Sequence, residues 1–372
     1  MMIYNLVVPS ARPPRKEAGV SLVELMIAMV IGLFIIGTTL YVVQETQVTY
    51  RYNDHLAQIQ EGGRFAVERI AHDVRMAGYN GCARTPPSQA SLDGRGDSGI
   101  TTRVLALPPA LNPATMRIPV QRFTQPSAST AFTGNTVPNS DVLILRGSSP
   151  SGVSIVGNTT PTNAQFQISS NPDNFAQGDL LWVVDCTIGQ AHLIRATTVG
   201  AGSGMVNIAH AANANSQATF RFKQSNNATV MRFTVTAYYL ADSGRLDRTG
   251  QPIVSLFSAR LTELQTAAPT FVVVPNSQRE LVEGVQDMQV RYGLDVDGDN
   301  AVDQYEPAVL AGGTVDPFNA AAVQVRLLLQ STETNITREP QAWTALDGSA
   351  GALDRRLRQP FEIVAAVRNR LP

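Results

Sequence analysis

Residues 20–43 form a run of 24 residues with one formal charge, Glu24, and no proline. A helix of that length and apolarity spans a hydrocarbon core of roughly 30 Å, so the run predicts a membrane-crossing segment. Arg12, Arg15 and Lys16 precede it. Basic flanks stay on the cytoplasmic side, which places the carboxy-terminal bulk on the far side of the membrane. A removable secretory signal needs small residues just beyond its apolar run. Here Tyr41-Val-Val-Gln-Glu-Thr-Gln47 offers no such site, so the helix is expected to stay in the protein. Glu24 is costly in lipid, by about 2.5–3.5 kcal/mol on insertion scales, and needs a partner, a proton or a place near the interface.

No proline occurs between Pro14 and Pro86, and Leu56, Ile59, Gly63, Ala66, Ile70, Val74 and Ala77 recur at spacings of three and four. That is one apolar helical stripe, expected over residues 44–78 as the continuation of the membrane segment. Gly62 and Gly63 each weaken a helix by about 1 kcal/mol relative to alanine, so a bend or break is expected there, and Gly78 is the expected stop. Residues 84–140 are rich in Pro, Ser, Thr, Gly and Asn and read as loops with short strands at most. Strand signals then accumulate at residues 141–145, 179–186 and 191–195. Clean alternation follows in Met231, Phe233, Val235 and Ala237, in Val323, Val325, Leu327 and Leu329, and around residues 361–367. The expected fold is α+β: a long amino-terminal transmembrane and spine helix on a predominantly antiparallel β head over residues 79–372. No repeat or linker divides that head.

Lys and Arg number 29 against 30 Asp and Glu, a net charge of -1, which gives no electrostatic reason to expect nucleic acid as a direct partner. Cys82 and Cys186 match no metal or redox spacing; they read as one disulfide or as two separate buried thiols. In Asp295-Val-Asp-Gly-Asp-Asn-Ala-Val-Asp-Gln-Tyr-Glu306, carboxylates stand at relative positions 1, 3, 5, 9 and 12. Asp295, Asp297, Asp299, Asp303 and Glu306 are thus the candidate oxygen ligands of a calcium ion, since hard cations need several converging oxygens. Asn300 stands where a calcium loop carries its turn glycine, and Met288, Val290 and Tyr292 ahead of it alternate as a strand. The site is therefore either a strand-flanked calcium loop or a metal-free Asp-Gly hairpin. Gly96-Asp97-Ser98-Gly99 matches a serine-protease neighbourhood, but a helix occupies the chain where the rest of a triad belongs. The overlapping Arg95-Gly96-Asp97 reads as loop. His55, His72, His192 and His210 have no ligand spacing, so no catalytic group is expected and no cofactor is required.

The stretch Ala18-Gly19-Val20-Ser21-Leu22-Val23-Glu24-Leu25-Met26 resembles the class III signal of type IV prepilins and type II secretion pseudopilins. The resemblance implies a leader of residues 1–19, a cut between Gly19 and Val20 by a prepilin peptidase, and methylation of the new amino terminus. Glycine at the cut admits close approach of the backbone. The family's proposed use of the carboxylate implies that Glu24 meets the amino terminus of a neighbouring subunit and sets register. Where major pilins carry a helix-bending proline, this chain has Tyr41. Arg69-Ile-Ala-His-Asp-Val-Arg-Met-Ala-Gly-Tyr-Asn-Gly-Cys82 resembles a segment of PilW-like minor pilins. Tyr238-Tyr-Leu-Ala-Asp-Ser-Gly-Arg-Leu-Asp-Arg248 looks like their strand, turn and strand. Implied partners are other minor pilins, the major pilin and a tip adhesin. The implied location is the inner membrane, with the head in the periplasm, and then the pilus. A minor pseudopilin of a type II secretion system is the second reading.

Overall fold

The computed structural model describes residues 19–82, 103–104, 120–124, 137, 140–157, 163–187, 189–202, 204–211, 215, 227–265, 269–297, 299, 301–306 and 320–367. The chain divides into two compact units, Met1–Asn53 and Asp54–Pro372. Helix α1 (Leu22–Met76) supplies residues 22–53 of the first and residues 54–76 of the second. In the first unit the apolar side chains stand open, with Val20 and Phe34 both 74% exposed. It is the one described helix long and apolar enough to cross a membrane.

In the second unit Ile59, Gly63, Ala66, Ile70 and Val74 of the predicted stripe are buried, as is Ala77 just past the helix, while Leu56 is half-buried; Val67 and Ala71 widen the buried face. The helix ends at Met76, and Gly78 takes a positive φ of 75° while its N–H bonds Arg146 O at 2.7 Å, the stop the glycine predicted. The expected break at Gly62 and Gly63 is absent; α1 runs straight through both. Space is the reason. A Cβ on Gly63 would lie 2.3 Å from the Phe361 ring, and one on Gly62 would lie 2.8 Å from Val282 Cγ1. The pair lets a sheet approach the helix, a close-contact use of glycine that outweighs its helix penalty.

The strands are β1 (Arg103–Val104), β2 (Val120–Thr124), β3 (Asp141–Ser148), β4 (Val153–Gly157), β5 (Gln165–Ile168), β6 (Leu180–Asp185), β7 (Gln190–Arg195), β8 (Thr198–Gly202) and β9 (Met205–Ala209). They continue with β10 (Ala228–Leu246), β11 (Pro252–Gln265), β12 (Pro269–Val273), β13 (Arg279–Glu283), β14 (Val285–Leu294), β15 (Gln304–Glu306), β16 (Ala320–Gln330) and β17 (Arg358–Ala366). Every pairing among them is antiparallel except β1 with β7. One sheet of thirteen strands is organised on β10, which pairs β4 and β6 through its first residues and β3 and β11 further along. A second sheet has the order β15-β14-β16-β17.

The main core lies between residues 59–77, the second sheet and one face of β3, β10 and β11; it includes Ile70, Leu143, Tyr238, Leu256, Val290 and Leu327. Ala237 and Tyr239 face a second cluster with Trp182 and Phe257. Strand β10 is thus buried on both faces, and its alternating sequence supplies two cores at once. The strand, turn and strand expected at 238–248 is corrected. Strand β10 passes through Ser243 and Gly244 as a bulge, with Gly244 at φ 76°. The chain reverses at Asp247, whose Oδ1 accepts from Thr249 N (2.8 Å), Thr249 Oγ1 (2.7 Å) and Gln251 N (2.9 Å). A carboxylate holding three donors sets the turn there.

Candidate functional site

At the start of α1, Ser21 N donates to Glu24 Oε2 at 3.0 Å and Val23 N donates to Ser21 Oγ at 3.4 Å. This reciprocal cap satisfies donors that a helix start leaves open, and negative charge there favours the helix dipole. The Ser-x-x-Glu spacing is visible in the sequence and assigns Glu24 a local role that the membrane reading alone misses. Further along, Thr38 and Thr39 hydroxyls both donate to Ile35 O, at 2.9 and 2.8 Å, which keeps polar groups off the apolar surface. Gly19 is exposed, with open space around it. The arrangement is an apolar rod with one carboxylate in its first turn, suited to insertion in lipid or among other apolar helices.

The end of α1 is tied to the sheet by polar contacts. Tyr238 Oη donates to Asp73 Oδ2 at 2.5 Å, and Arg69 pairs with the same oxygen at 3.3 Å. Burial, with the Asp73 charge beside it, pushes the Tyr238 hydroxyl far above its ordinary pKa, so it stays a donor. Ser148 Oγ donates to Tyr79 O at 2.8 Å. Cys82 and Cys186 form a disulfide, Cα atoms 5.3 Å apart, joining the turn after α1 to the end of β6. The two segments that resemble PilW-like proteins, 69–82 and 238–248, therefore meet through Asp73 and Tyr238.

The acidic loop joins β14 to β15, with Leu294 opposite Gln304, so it is strand-flanked as expected. Asp295, Asp297 and Asp303 each offer an oxygen within 4.8 Å of the others. Asp303 Oδ2 accepts Val296 N at 2.7 Å, and Asp299 Oδ1 accepts Ala301 N at 2.7 Å. Asp299 lies outside the trio. Glu306 lies on β15 opposite Tyr292, and its side chain is outside the described residues, as are residues 95–99 and the leader 1–18. His192 and His210 are buried, and burial lowers the His210 pKa to about 4. Asp295, Asp297 and Asp303 are the one group of three metal-ligating side chains brought together among the described residues.

Two family models match the chain. The prokaryotic N-terminal methylation motif covers residues 14–40, which include Arg15 and Lys16 of the basic flank and the capped start of α1. Type IV pilus-assembly protein W covers residues 237–369, which hold the latter part of β10 and everything through β17. No curated protein and no solved structure matches it. The methylation motif on the apolar amino-terminal helix marks pilin-like proteins, and the carboxy-terminal part of the β head is similar to a type IV pilus-assembly protein. The likeness to PilW is confined to residues 237–369, which with β3 pack against residues 59–76 of α1.

Proposed function

We propose that this chain is a minor pilin, cut between Gly19 and Val20 by a prepilin peptidase and methylated at Val20. It is held in the inner membrane by residues 20–43 with its head in the periplasm. From there it joins other minor pilins and the major pilin through α1, at or near the pilus tip, where it primes assembly and supports a tip adhesin. Motility, attachment and DNA uptake follow from the pilus; catalysis is not required. The observation that carries this reading is the exposed apolar helix whose one early charge, Glu24, sits in the methylation motif. The acidic loop enters as a calcium site of the head, with Asp295, Asp297 and Asp303 as its ligands.

The test is intact mass and amino-terminal sequencing with and without a prepilin peptidase. A peptidase-dependent start at N-methylated Val20 supports the reading; the same unprocessed terminus in both refutes it. Deleting the gene then separates pilus from secretion. Lost surface pili with normal exoprotein secretion fits the PilW match, and the reverse assigns the chain to a type II system as a minor pseudopilin.

A further inference from the structure

Strand β10 has a gap along one edge. Strand β6 pairs with it up to Arg232 opposite Leu181, and β11 begins at Thr236 opposite Arg260. The other edge is filled by β3, whose register covers Phe233, Thr234 and Val235. Three residues of β10 thus lack a ladder partner on the β6 and β11 side among the described residues. At this split lies a cavity of about 180 Å³, lined among others by Asp179, Arg195, Arg232, Thr234 and Arg260.

Three arginines and one carboxylate therefore line the cavity, and the arginines are not equivalent. Arg232 is fully committed: Nη1 donates to Asp179 Oδ2 at 2.6 Å, and Nη2 donates to Asp173 O and Asn174 O at 2.8 and 2.9 Å. Asp179 is thereby neutralised. Arg195 donates Nη1 to Gly178 O at 2.9 Å, while its buried Nε has no acceptor among the described residues. Burial also lowers the Arg195 pKa, the mark of a cation without a countercharge. Arg260 is exposed and makes no ion pair among the described residues. Both backbones are held in place. Asn215 brackets Arg195 N and O at 2.8 and 3.0 Å, and Ser277 Oγ accepts Arg260 N at 3.1 Å.

We propose that this split in the sheet is a binding site for a small oxyanion, a carboxylate, sulfate or phosphate group, held between Arg195 and Arg260. Guanidinium forks match such anions with paired charge-assisted hydrogen bonds. The site stands apart from the pilin reading and neither needs nor supports it. The full chain in detergent is titrated calorimetrically at constant ionic strength with sodium sulfate and, separately, sodium glucuronate. Saturable one-site binding of either is expected. The tighter ligand identifies a free tetrahedral anion or a sugar acid as the source. Arg260→Gln, at an exposed position, is expected to weaken binding about tenfold, the loss of one charge-assisted contact. Arg248→Gln, outside the cavity, is expected to leave it unchanged. Absence of saturable binding for both anions, or equal affinity in Arg260→Gln, overturns the proposal.

Discussion

Replacing Gly63 by alanine sets two known effects against each other at one site. Alanine favours the helix by about 1 kcal/mol. Its Cβ, however, would stand 2.3 Å from Phe361 Cε2 and Cζ and 2.5 Å from Cδ2. Ordinary carbon contacts lie near 3.5–4.0 Å, so the ring must recede by more than about 1 Å. Phe361 is held in the ladder opposite Leu327, and overpacking of this kind costs about 1–3 kcal/mol. The expected net is a loss of up to about 2 kcal/mol, or a few degrees in Tm for a head of this size. Gly62→Ala meets one methyl group, Val282 Cγ1 at 2.8 Å, and should be near neutral. Thermal unfolding of the detergent-solubilised chain, followed by fluorescence of Trp182 and Trp343, measures both. Adding Phe361→Leu to Gly63→Ala should remove the clash and give a coupling of about 1 kcal/mol or more. A Gly63→Ala protein as stable as the parent, with no coupling, would show that the glycine serves the helix and not the contact.

Glu24→Gln should keep the cap, since glutamine fills the same position, yet remove the charge. We expect intact helix content with loss of the protein from the sheared pilus fraction, and normal incorporation would count against a charge-based role in assembly. Asp247 is buried, which opposes its charge, but hydrogen bonds from Thr249, Gln251 and Arg356 hold its pKa down to about 2. Its contribution is therefore present above pH ~4 and fades as pH falls toward 2. Asp247→Asn should flatten the acid limb of the stability curve, and an unaltered limb would refute this. In the parent protein, calcium should raise Tm relative to chelator and Asp297→Ala should abolish the rise; identical melting in the parent sinks the metal. Exchanging Cys82 and Cys186 for serine should cost about 2–5 kcal/mol, and a peptide map showing both as free thiols defeats the bridge.

What the sequence made legible is what depends on near neighbours. The apolar run, the stripe from Ile59 to Ala77, the stop at Gly78 and the alternation in β10, β16 and β17 all depend on residues a few positions apart. What escaped depends on distant ones. Gly62 and Gly63 look like breakers until Val282 and Phe361 arrive from the far end of the chain. The turn at Asp247 was hidden by Ser243 and Gly244, which look equally turn-like, and the Arg356 contact that helps hold it comes from more than a hundred residues away. At the acidic loop, spacing found the loop and its flanking strand, but it could not tell that Asp295, Asp297 and Asp303 converge without Asp299. Arg195 and Arg260 are 65 positions apart, and only the split between β6 and β11 brings both to one cavity.

The contact between Gly63 and Phe361 also sets a clock. The two residues are 298 positions apart, and at about 5–20 residues per second a ribosome needs roughly 15–60 s to travel from one to the other. Throughout that interval the apolar stripe from Ile59 to Val74 exists without the strand that completes its cover. Such surface is the kind that aggregates or is captured by chaperones. A nascent head of this design is open to such capture for as long as its last strand is missing, so a premature stop just before β17 leaves the part of the stripe around Gly63 uncovered for the life of the molecule.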